Sequence, residues 1–151
     1  MLEGPEFLKT LVADIGGTNS RLAIAITSKK DKQIRLKNIH KFKNSDFNNF
    51  DEVIKRYLTI SDENSINRIC VAAAGIISDT TVEMSNLNWK ITVPSLQKTT
   101  KIDQVFIIND LQAQGYALDF IEPNDLEKLI EGSYSPVPND TKLVCGMGTG
   151  F

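Results

Sequence analysis

Apolar residues come in short runs at the start of the chain and in a helical rhythm further on. Residues 8–15 (LKTLVADI) and 21–27 (RLAIAIT) have the length and β-branched content of strands, and GGTNS joins them as a hairpin. A third strand is predicted over 33–42, QIRLKNIHKF, after the polar turn SKKDK. Ile34, Leu36 and Phe42 share one parity and Ile39 breaks it, which predicts a bulge or a shifted register. The period then changes. Phe47, Phe50, Val53, Ile54, Tyr57 and Leu58 recur at spacings of three and four, an amphipathic helix over 45–60 with Ser45 or Asp46 as N-cap.

INRICVAAAG (66–75) is nearly continuous in apolar residues, as in a strand covered on both faces. Residues 76–93 alternate weakly, and Pro94 is a favourable first position for a short helix. QVFIIND (104–110) reads as another buried strand, LQAQGYALDF (111–120) as a helix, and PNDLEKLIEG (123–132) as a second helical piece. SYSPVPND is a loop, and TKLVCGMGTGF is a strand running into a second glycine-rich turn. The order is β-β-β-α-β, further strand-like pieces, β-α and a terminal β.

The 151 residues are about one domain's worth, and the net charge of −2 is spread evenly. That balance argues against nucleic-acid and anionic-membrane partners. Lys29, Lys30 and Lys32 surround Asp31 and read as a solvated turn. No apolar run reaches the ~20 residues that span a bilayer. Residues 1–8 carry Glu3 and Glu6 and have no secretory pattern, so they are expected to be an expression remnant or a disordered N-terminus. Cys70 and Cys145 lie in apolar runs and are expected to be buried free thiols, in keeping with a cytoplasmic protein.

Candidate chemistry centres on the turns. Gly16 and Gly17 give room for phosphate oxygens to reach the main chain and tolerate positive φ; Thr18 and Asn19 add side-chain donors. Asp14, at the strand end, would repel phosphate unless a divalent cation stood between them, held through water. A tight hairpin turn without ligand is the alternative. Gly146, Gly148, Thr149 and Gly150 repeat the strand-then-glycine arrangement, and that repetition favours the phosphate reading. There is no GxxxxGK[ST] motif and no GxGxxG in a βαβ setting. Asn109 and Asp110 close a strand, where α/β sheets bind ligands. Asp110 can take a proton from an alcohol, as phosphoryl transfer requires, or simply cap the next helix. His40 is the only histidine and is assigned no role, which disfavours Ser-His-Asp and Cys-His chemistry. Trp89 reads as a core or loop anchor before a sugar-stacking platform.

ADIGGTNSRLAI, VAAAG, MSNLNW, INDLQAQGYAL and CGMGTG, in that order from Leu11 to the last residue, resemble the N-terminal half of bacterial-type glucokinases. These belong to the sugar kinase, actin and Hsp70 superfamily. The resemblance implies an α/β, ribonuclease-H-like (actin-like ATPase) small domain, with a mixed central sheet flanked by helices. Residues 9–110 would form that domain, 111–140 a linker helix and loop, and 141–151 the first strand of a second domain cut short. The resemblance further implies glucose phosphorylation at the 6-hydroxyl, with ATP and Mg²⁺ as co-substrates. Asp110 would be the base, Asn109 and Asn86 sugar ligands, and 13–19 and 146–150 the two phosphate loops. Asn88, Met147 and Phe151 stand where the family usually has proline, proline and leucine. Little or no turnover is expected of the chain alone. Another hexose as substrate, a non-catalytic sugar- or nucleotide-binding module, and a homodimer all remain open.

Overall fold

The computed structural model describes residues 7–28, 34–133, 137 and 140–146. The chain divides into two compact units, 1–110 and 111–151. The first begins with β1 (Phe7–Ile15), β2 (Asn19–Ser28) and β3 (Ile34–Lys43), followed by helix α1 (Phe50–Ser61) and β4 (Arg68–Ala73). Three short strands follow: β5 (Gly75–Ser78), β6 (Thr81–Met84) and β7 (Lys90–Thr92). Helix α2 (Val93–Thr100), β8 (Val105–Asn109) and α3 (Asp110–Ala117) complete the order. Phe7, expected in the tail, already pairs with Ser28, and Leu8, where the predicted strand and the expected tail overlap, pairs with Thr27.

The main sheet has the order β3-β2-β1-β4-β8. β1, β2 and β3 pair antiparallel, whereas β1, β4 and β8 run parallel. It is the mixed sheet with flanking helices that the motifs implied. Leu11, Ala13 and Ile15 of β1, Leu22 and Ile24 of β2, and Ile69, Val71 and Ala73 of β4 share one face and are buried. Phe50, Val53, Ile54 and Tyr57 of α1, Leu96 of α2, and Val82, Met84, Trp89 and Ile91 of the small sheet β5-β6-β7 complete that core. The opposite face is less covered: Cys70 is half-buried and Phe106 is 51% exposed.

The expected irregularity in β3 is present. The register with β2 slips between Leu22 and Ile24, and Asn38 takes φ 52° to absorb the extra residue. Its carbonyl accepts from the Tyr57 hydroxyl at 3.0 Å. Burial, with Glu63 adding to it, pushes that phenol up to about 12.

Several elements differ from the sequence reading. α1 starts at Phe50, capped by Asn49, whose side chain accepts from the Glu52 N–H at 3.1 Å. Glu52 in turn accepts from the Asn48 N–H at 2.9 Å. These two bonds fix the helix start beyond the caps proposed at Ser45 and Asp46, which sit in a single 3-10 turn, Asn44–Asp46. In the second unit the helical piece expected over 123–132 is only a 3-10 turn, Pro123–Asp125. Residues 141–146 form no strand, having no strand in their own unit to pair with among the described residues. There Lys142 pairs with Asp119 at 2.6 Å. Cys145 is exposed rather than buried. No helix among the described residues is long and apolar enough to cross a membrane.

Two features of the first unit make checkable demands. A Cβ on Gly75 would lie 2.4 Å from the Glu83 carbonyl oxygen, where β5 pairs with β6. Gly75→Ala should therefore lower unfolding free energy by about 1–3 kcal/mol in urea titration, like other overpacked sites. Glu63, with its side chain 7% exposed, pairs with Lys9 at 2.6 Å and Lys37 at 2.5 Å. Hydrogen bonds from Lys37 and then Lys9 hold its carboxyl below the usual range. A carboxylate lowered in the folded state stabilises above its ordinary pKa, and that contribution is lost as pH falls through the lowered value. Wild type should lose more stability between about pH 7 and pH 3 than Glu63→Gln, measured by urea titration at each pH.

Candidate functional site

Parallel β1, β4 and β8 end at one edge of the sheet, and the predicted residues of the first unit gather there. Ile15 pairs with Ser20 and Ala73, and Ala73 pairs with Asn109, so these four residues form one row on the core face. Asp110 follows as the first residue of α3, half-buried, in that helix rather than ahead of it. The Asn109 side-chain amide lies 3.5 Å from the Gly75 carbonyl.

β1 and β2 close in a short turn, with the Gly16 N–H donating to the Asn19 carbonyl at 3.0 Å. Neither Gly16 nor Gly17 adopts positive φ, contrary to one of the two reasons for expecting glycine here. The other reason, space, holds at Gly17. A Cβ there would lie 3.2 Å from the Asn86 Cβ, tighter than ordinary contact. Two predicted site residues from separate loops, Gly17 and Asn86, thus sit against each other. Asn86 is exposed in the loop between β6 and β7, which the Met84 N–H closes by donating to the Trp89 carbonyl at 3.1 Å. Trp89 is buried against Phe50, ring centroids 6.4 Å apart. It serves as both core residue and loop anchor, and its burial leaves no face for sugar stacking.

Asp14 has a side chain 56% exposed and pairs with Arg21 Nη1 at 3.2 Å. It pairs in register with Arg21 and Ala72, one residue out of phase with Ile15 and Ala73, so it lies on the face opposite Asn109. Among the described residues no three or more His, Cys, Asp or Glu side chains are grouped to hold a metal. In the second unit a Cβ on Gly146 would lie 3.0 Å from Leu111 Cδ2. Gly148, Thr149 and Gly150 lie outside the described residues.

Sequence reasoning missed Asn44. It is 2% exposed, and its backbone N–H donates to the Thr18 carbonyl at 2.9 Å. Its Nδ2 donates to the Gly16 carbonyl at 2.9 Å, and its Oδ1 accepts from the Ser20 hydroxyl at 2.8 Å. The only available signal was an asparagine ending a strand, which also fits an ordinary helix cap.

The family model described as Glucokinase matches residues 11–151. A glucokinase of Saccharophagus degradans is 31% identical over 141 residues, covering 93% of this chain and 43% of that protein. One of Colwellia psychrerythraea is 34% identical over 142 residues, covering 93% and 41%. Among solved structures, a glucokinase from an Antarctic psychrotroph superimposes with TM-score 0.70 at 30% identity, over 80% of this chain and 37% of that one. A glucokinase from Balamuthia mandrillaris in complex with glucose shares the fold at TM-score 0.57 and 22% identity, over 74% and 32%. The chain therefore spans less than half the length of the relatives it matches. With the motifs in family order and the sheet edge built as described, the chain belongs to the glucokinase family.

Proposed function

We propose that the protein to which this chain belongs phosphorylates glucose on its 6-hydroxyl with ATP. The observation carrying this reading is the meeting of the 16–19 turn with Asn86 at the sheet edge where Asn109 and Asp110 also end. The turn offers backbone amides for phosphate oxygens. Asn109 and Asn86, each both donor and acceptor, suit sugar hydroxyls. Asp110 accepts the 6-hydroxyl proton as the oxygen attacks the γ-phosphorus; the bond to the bridging oxygen breaks and ADP leaves. Gly146, Gly148, Thr149 and Gly150 would form the second phosphate turn.

Magnesium, the usual companion of ATP, neutralises charge developing on the phosphates. Asp14 suits it as a single carboxylate acting through water, because Mg²⁺ keeps several waters beside one or two carboxylates. Its exposure leaves it accessible, and binding would compete with Arg21. Free Cys70 and Cys145 accord with a reducing cytoplasmic setting, where ATP is available.

The deciding experiment follows ADP release by the whole gene product with glucose and ATP. Asp110→Asn should lower kcat by about 10²–10⁴-fold, the usual contribution of a positioned base. An active wild type with an equally active mutant removes Asp110 from that role. Sugar binding without ADP release would favour a binding module, and faster turnover of another hexose would change the substrate. Gly17→Val should raise KM for ATP, by obstructing phosphate and by pushing Asn86 aside; an unchanged KM would count against the turn.

A further inference from the structure

We propose that Asn44 is the positioning residue of the 16–19 turn, holding its carbonyls back so that its amides are presented to phosphate. The inference rests on the phosphate-binding reading of that turn. In a simple narrow hairpin closure the Gly16 carbonyl would accept from the Asn19 N–H. Here it accepts from Asn44 Nδ2 at 2.9 Å instead, and the Thr18 carbonyl accepts from the Asn44 N–H at 2.9 Å. A trans peptide points its N–H opposite to its C=O. Fixing the Gly16 and Thr18 carbonyls on Asn44 therefore turns the Gly17 and Asn19 N–H groups the other way. Among the described residues neither the Gly17 nor the Thr18 N–H has a backbone partner. A turn with fixed carbonyls and outward amides is arranged for an anion.

The side chain has to be an amide. The Gly16 carbonyl can only accept, so Nδ2 must face it, and Oδ1 is left for the Ser20 hydroxyl. Aspartate would set an acceptor against an acceptor. Ser20 is 0% exposed, and its hydroxyl holds the Asn44 amide in orientation. The network therefore runs from the core to the turn through one side chain.

The test uses the whole gene product and compares KM for ATP, KM for glucose, kcat and melting temperature. Asn44→Ala should raise KM for ATP about ten-fold, the factor that about 1.4 kcal/mol represents. KM for glucose should stay within about two-fold of wild type. Asn44→Asp should reproduce the ATP defect, and Ser20→Ala should show a smaller one. A purely structural role would lower melting temperature without separating the two KM values. Should Asn44→Ala not fold, Ser20→Ala decides, and an unaltered KM for ATP there overturns the proposal. So does an unaltered value in folded Asn44→Ala while Gly17→Val raises it. If Gly17→Val has no effect either, the phosphate reading itself has failed.

Discussion

The parallel register of β1, β4 and β8 is the constraint on which the rest depends. Because Ile15, Ala73 and Asn109 sit side by side, three chain segments far apart in sequence end at the same height. Each then leaves the sheet into a segment with its own chemistry: the glycine turn after β1, Gly75 and the small sheet after β4, Asp110 after β8. The register is fixed by burial. Sliding β4 by one residue would carry Ile69, Val71 and Ala73 off the core face, away from the helical side chains that cover them. Packing in the middle of the sheet thus determines where polar groups meet at its edge.

The core ends on a polar pair at that edge. Ser20 and Asn44 are almost wholly buried, a placement that costs free energy unless every group is bonded. Their bonds reach the turn rather than other parts of the core, so the stability of the buried pair and the shape of the turn are the same set of interactions.

The strands were legible, and so was the position of Asn109 and Asp110 at a strand end, because these signals are local. Apolar runs marked β1, β2, β4 and β8, and the parity break at Ile39 marked the bulge. What escaped was decided by partners distant in sequence. Ser45 and Asp46 were chemically good caps, but the helix starts later and is capped by Asn49. TKLVC has strand composition, yet residues 141–146 have no strand to pair with among the described residues of their unit. The exposure of Asp14, which follows an apolar run, was set by β-strand alternation, which puts it on the less covered face. Asn44 carried only a local mark that an ordinary helix cap also fits, because its bonds arise only when β3 returns its end to the β1–β2 turn.

The glycines illustrate how sequence can suggest the right residue for an incomplete reason. Positive φ is the usual need that glycine meets, but neither Gly16 nor Gly17 uses it. Gly17 is small because Asn86 approaches it, and Asn86 is held there by a loop tied to buried Trp89. That loop and Asn109 lie on the core-face side of the sheet edge, whereas Asp14 lies on the other. The turn passes between the two sides. On the proposed reading, sugar hydroxyls at Asn86 and Asn109 and a hydrated cation at Asp14 would approach from opposite faces, with the phosphate at the turn between them. A cation held by a carboxylate so placed would offset phosphate charge without competing for the space in which the alcohol must sit.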